Sequence, residues 1–169
     1  AKGMHVVAIN VESEDDAYSI FETLNDRGLR LSVPDLLLNL LMRRASNETE
    51  RGRIRDKWNE MLEQMGRRDI DRFLRHMWLS RYGDLKAKGL FNALKDHLRD
   101  NRIQSLEFAE SCALDCDYYV AVLDQTTAIP KAARSNVAGL VKYLGVTSSL
   151  PMLLSGLQCL TDANFSSLI

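Results

Sequence analysis

The residues with the chemistry to do work fall into a few groups along this chain of 169 residues. Asn25, Asp26 and Arg27 stand together ahead of Gly28. On spacing alone they serve a helix end, where Asn and Asp satisfy free carbonyls and turn donors. Cys112 and Cys116 are four residues apart, so one helix face would carry both thiols, as in the beginning of a metal site. Zinc needs about four ligands. Cys159, His5, His76 and His97 are the remaining candidates, and none has ligand spacing to another. The thiols therefore read as packed core cysteines and no metal site is expected.

A run of cations, including Arg51, Arg55, Arg67, Arg68 and Arg72, could line a groove for DNA phosphates without sequence preference. Residues 43 to 102 hold 16 Lys and Arg against 10 Asp and Glu, while residues 103 to 125 hold five acids and no base. With so many acids interleaved, a solvated helix face accounts for the cations as well as a groove does, and better on composition alone. His76 and His97 lack a carboxylate or nucleophile in any catalytic motif, and there is no GxxxxGK[ST], HExxH or GxSxG pattern. No residue takes a catalytic role.

The elements that must position these groups are mostly helical. His5 to Val11 is a β-branched run of strand length and predicts one N-terminal β-strand. Ser13 with Asp16 forms a reduced capping box, Ala17, Ile20, Phe21 and Leu24 recur at helical spacing, and Gly28 follows. Ser32, Pro34 and Asp35 mark the start of the next helix. Its run from Leu36 to Met42 is apolar on every side apart from Asn39, which predicts a helix surrounded by protein with Asn39 hydrogen-bonded inside.

Beyond it, start signals at Asn47, Asp69, Asp84, Ser105, Pro130, Ser149 and Thr161 or Asp162 predict a series of amphipathic helices with short polar turns. On the helix from Ser105 the expected buried stripe is Leu106, Ala109, Ala113, Cys116, Val120 and Leu123, with Asp115 and the other acids mostly outside it. On the helix from Pro130 the expected face is Ala133, Val137, Leu140, Val141 and Leu144.

One stretch carries a resemblance. Phe21, Leu24-Asn25, Arg27-Gly28, Leu31-Ser32, Asp35-Leu36 and Asn39, at these spacings, resemble the second signature of the GmrSD-type restriction endonuclease family. The matching stretch is about a seventh of the chain. In that family an Asp-Gly-Gln-Gln-Arg motif lies upstream in a ParB-like domain and is tied to nucleotide hydrolysis and nuclease function; no such motif occurs here. The resemblance implies that Asn25, Arg27 and Gly28 lie beside a nucleotide pocket, with Arg27 offering a forked donor set to phosphate. It also implies that the chain is a cut from a longer parent. The fragment would use no cofactor, and a nucleoside triphosphate and a divalent metal would belong to the parent.

Composition is that of an ordinary globular chain, 46% hydrophobic and 27% charged, and the net charge of -1 gives no global pull toward nucleic acid or acidic membranes. Three cysteines with no secretory leader point to reduced thiols in a cytoplasm, and the Leu-rich run is too short for a membrane span. The expected fold is mainly α, an irregular bundle of about eight helices with one N-terminal β-strand. Residues 1–46 would hold the end of a truncated ParB-like region and the core helix, and residues 47–169 the bundle, packed together as one unit.

The expected function is a helical portion of a GmrSD-like nucleotide-dependent restriction protein, non-catalytic on its own. Its partners would be the catalytic N-terminal region of the same protein, and beyond that DNA, a nuclease subunit or a second copy. The alternative is a self-contained helical interaction module with no nucleotide chemistry.

Overall fold

Asn47 opens the second helix of the described chain because its side-chain oxygen accepts the Glu50 N–H at 2.9 Å. The Glu50 carboxylate reaches back to the Ser46 N–H at 2.7 Å. This reciprocal pairing satisfies two donors that a helix start would otherwise leave free. Side-chain caps open two further helices in the computed structural model, which describes residues 32–85, 89–126 and 128–169.

Eight α-helices run through these residues: α1 (Val33–Arg44), α2 (Glu48–Met65), α3 (Ile70–Tyr82), α4 (Gly89–Asp100), α5 (Ser105–Asp124), α6 (Arg134–Ala138), α7 (Leu150–Cys159) and α8 (Asp162–Leu168). A π-helical turn, Gly139–Tyr143, continues α6, and a 3-10 turn, Thr147–Ser149, precedes α7. Asp69 caps α3 by accepting the Arg72 N–H at 3.0 Å, and Thr161 caps α8. Gly66 and Gly83 end α2 and α3 with φ of 57° and 74°, values that favour a residue without Cβ.

The expectation of a mixed fold is corrected. Among the described residues every regular element is helical and there is no β-strand. A strand needs a neighbour to take its backbone donors and acceptors, and none stands among the described residues. His5 to Val11 lies outside the described residues. The irregular bundle of about eight helices stands.

Val33–Ile169 form one compact unit. Its axis is a side-by-side pair, α2 and α5. Arg53 meets Glu110, Gln64 meets Asp117 and Arg68 meets Asp124, so numbers rise together on both helices and the pair is parallel. The acidic stretch thus lies along the basic one and neutralises part of it. Between them Ile54, Trp58, Met61 and Met65 of α2 are buried with Phe108, Cys112, Cys116, Tyr119 and Val122 of α5. Helix α1 joins this core through Leu37 and Leu41, both fully buried, while Leu36, Leu38, Leu40 and Met42 are half-buried.

Asn39 departs from expectation. It is exposed, as is Asp35 one turn earlier, so its amide faces water and needs no internal partner. Helix α4 begins at Gly89, not at Asp84, because the positive φ of Gly89 turns the chain before helical geometry sets in. Helix α6 begins four residues after Pro130, since a turn closed by Ala133 N–H to Pro130 O at 2.9 Å comes first. Within the π-turn, Leu144 N–H bonds Gly139 O at 3.0 Å, one residue wider than an α-turn. That extra residue rotates everything after it by about 100° of helical phase. Leu144, expected on the buried face, is therefore 71% exposed, beside Tyr143 at 77%.

Helices α7 and α8 meet at Gly156. A Cβ there would stand 2.8 Å from Phe165 Cδ2 and 3.3 Å from Leu168 Cδ2. Phe165 is buried and cannot swing away. Overpacking of this kind costs about 1–3 kcal/mol, against the ~1 kcal/mol that Ala gains over Gly inside a helix. Gly156→Ala is expected to lower stability by about 1 kcal/mol in urea denaturation. Adding Phe165→Leu should return part of that loss if the ring is the obstacle.

Candidate functional site

Helix α3 carries the densest set of polar groups with chemical potential. Its cap, Asp69, its first-turn Asp71, and Arg72, Arg75 and His76 line a cavity of about 350 Å³ together with Val33 and Leu90. Asp71 Oδ1 accepts the Val33 N–H at 3.2 Å, which ties the start of α1 to the start of α3. Beneath them His76 Nδ1 lies 3.1 Å from the Tyr119 hydroxyl, and the Tyr119 ring packs at 5.2 Å against Phe73. Burial holds the His76 imidazole below its ordinary pKa, and the charges of Arg72 and Arg75 push it further the same way. Burial raises the Tyr119 phenol. His76 is accordingly a neutral, polar floor.

Of the five arginines expected at DNA phosphates, Arg51 and Arg68 are engaged within the protein itself. Arg51 donates Nε–H to Met42 O at 3.2 Å, closing the C-terminus of α1, and pairs with Glu48. Arg68 reaches Met65 O at 3.3 Å at the end of α2 and holds Asp124 at 2.6 Å. These two side chains stand at opposite ends of α2, roughly 25 Å apart at 1.5 Å per residue. Arg44 does similar work, donating to Leu98 O at 3.1 Å where α4 ends. Arg55 and Arg67 are exposed, and Arg72 faces the cavity. Much of the basic stretch is thus engaged with helix termini and the acids of α5.

No family model, curated protein or solved structure matches the chain.

Asn25, Arg27 and Gly28 lie outside the described residues. Of the signature positions that are described, Asp35 and Asn39 are four apart and share one exposed stripe of α1, and Leu36 is half-buried. Cys112 and Cys116 are both buried. Cys116 Sγ is 3.7 Å from Met61 O, Cys112 Sγ is 3.7 Å from Met77 Sδ, and burial pushes the Cys116 thiol up to about 12 and raises Cys112 as well. Such thiols are unreactive at neutral pH. Among the described residues no group of three His, Cys, Asp or Glu could hold a metal ion. His97 stacks on Tyr82 at 4.1 Å and meets Trp78 edge-on at 5.8 Å, an arrangement of packing.

One polar centre was missed by the sequence reading. Asp115, expected outside the stripe of α5, is fully buried. Arg81 Nη2 of α3 donates to its Oδ1 at 2.7 Å and stands 2.6 Å from Oδ2, which accepts no hydrogen bond, and Gln158 of α7 also donates to Oδ1. A signal was present: Phe108, Cys112, Asp115, Tyr119 and Val122 form an alternating three-and-four series that competes with the expected stripe. Burial raises the Asp115 carboxyl, and Arg81 opposes that rise without cancelling it. The three side chains join three helices, α3, α5 and α7, so their work is structural.

Among the described residues no helix is long and apolar enough to cross a membrane.

Proposed function

We propose that this chain is a helical, non-catalytic portion of a GmrSD-like nucleotide-dependent restriction protein acting in phage defence in the cytoplasm. The observation that carries the reading is the spacing from Phe21 to Asn39, in which Asn25, Arg27 and Gly28 would complete a nucleotide pocket whose remaining parts belong to the parent's ParB-like region. The exposed stripe of Asp35 and Asn39 supports it, since these signature side chains are not consumed by the core of the bundle. Nucleoside triphosphate and divalent metal would bind in the parent. The bundle would anchor α1 and offer helical surface to that catalytic region, to DNA, or to a nuclease subunit or second copy.

Phosphate release from a panel of nucleoside triphosphates tests this. Turnover is expected from the full-length parent and none from the 169-residue chain. Arg27→Ala in the parent should weaken nucleotide binding and slow turnover at least tenfold, because a forked donor to phosphate is lost. Turnover by the isolated chain, or a parent indifferent to Arg27→Ala, would reject the assignment.

A second reading, a self-contained helical interaction module, draws on the apolar tip at Tyr143 and Leu144. It predicts a parent without nucleotide turnover.

A further inference from the structure

Two guanidinium groups at the start of α3 are left without a carboxylate. Arg72 and Arg75 are three residues apart, which puts them on one face of the helix, and both line the cavity of about 350 Å³. Among the described residues neither enters an ion pair, whereas Arg53, Arg68 and Arg81 each hold an acid of α5. His76 lines the same cavity.

Two acids share the cavity, and each is already held by a backbone donor. Asp69 Oδ1 takes the Arg72 N–H at 3.0 Å and Asp71 Oδ1 takes the Val33 N–H at 3.2 Å. The unfilled hydrogen-bonding capacity on the cationic side is therefore larger: two planar forks of five N–H donors each, a geometry that suits the tetrahedral oxygens of phosphate.

We propose that this cavity binds a phosphate group, with Arg72 and Arg75 as its paired donors and the His76 side chain as its floor. The phosphate would come from a nucleic-acid backbone or from a free phosphate ester. Two cations against two anions leave the lining without net charge, so attraction is short-ranged and made by direct contact. The proposal deepens the phosphate-contact part of the function proposed above and is independent of nucleotide turnover by the parent.

The test is titration of the 169-residue chain, at low salt, with a fluorescent 20-base-pair DNA duplex and separately with inorganic phosphate followed by amide NMR shifts. Arg72→Gln with Arg75→Gln should weaken the bound probe at least tenfold, and Arg72→Lys with Arg75→Lys should fall between, since charge is kept and the fork is lost. Lys131→Gln with Lys142→Gln, exposed cations outside the cavity, should change binding less than twofold. For duplex, log Kd should rise with log salt with a slope near one, about 0.9 for the one phosphate contacted. Duplex binding that resists millimolar phosphate assigns the backbone as source, and shifts at residues 69–76 with phosphate alone assign the free ester. Equal losses in the two glutamine variants would overturn the proposal, as would no binding of either probe. Turnover in the parent would remain to be judged by its own assay.

Discussion

Asp115→Ala is expected to destabilise the protein by about 3 kcal/mol, at the lower end of the 3–5 kcal/mol seen when one partner of a buried ion pair is removed. The low end applies because the Arg81 side chain keeps 29% of its surface in water and can turn toward it once its carboxylate is gone. Gln158 would also lose its acceptor. In a chain of this size a loss of 3 kcal/mol corresponds to a fall in Tm of roughly 10 °C. Urea midpoints at constant m-value are the cleaner measurement.

The pair need not stabilise the fold overall. Taking both charges out of water is costly, and an apolar pair of similar volume commonly does as well or better. Arg81→Met combined with Asp115→Leu should therefore lie within about 1 kcal/mol of wild type, far above either single variant. A double variant as unstable as Asp115→Ala would show that Arg81 and Asp115 hold α3, α5 and α7 in register in a way that apolar contact cannot replace.

The same carboxyl makes a pH prediction of definite sign. Because the folded protein raises the Asp115 pKa above its ordinary value, the native state holds the proton more tightly than the unfolded chain. This group's contribution is fully present below the unfolded carboxylate pKa, about 3.9, and is lost as pH rises through the folded value. Asp115→Asn should remove that part of the pH profile. A difference profile in which wild type gains stability relative to Asn over this window would mean that Arg81 outweighs burial.

How legible this was depends on whether neighbours along the chain or across the fold decide. Helix starts at Asn47, Asp69 and Thr161 were readable because a cap acts over three residues. The face of α2 was readable too, since Ile54, Trp58, Met61 and Met65 leave a single stripe. Helix α5 offered two apolar stripes, and the choice between them was made by Arg81, 34 residues away, whose guanidinium makes burial of Asp115 tolerable. The exposure of Leu144 follows from a single widened turn at Gly139, which periodicity assumes away. The cavity beside α3 is equally non-local: Arg72 was a candidate from composition, but Arg75, His76 and their common wall with Val33 and Leu90 come together through packing. Arg51 and Arg68, read as equivalent to Arg72, differ from it because helix ends happen to lie within their reach.

Helix α1 gives the second large effect. Its apolar run treats Leu36, Leu37, Leu38, Leu40 and Leu41 alike, yet Leu37 and Leu41, one turn apart, have no exposed surface, and Leu38 and Leu40 keep part of theirs. Leu41→Ala is expected to cost about 3 kcal/mol: removal of three buried carbons accounts for roughly 2 kcal/mol, and the unfilled space left among α2, α4 and α5 supplies the rest. Leu38→Ala should cost about 1 kcal/mol, because the site opens to solvent and leaves no sealed void. If α1 is the element around which the bundle packs, Leu41→Ala should also speed amide exchange in α2 and α5, which contain no substitution. Accelerated exchange confined to α1, with α2 and α5 protected as in wild type, would instead make it a strap laid over a bundle that stands without it.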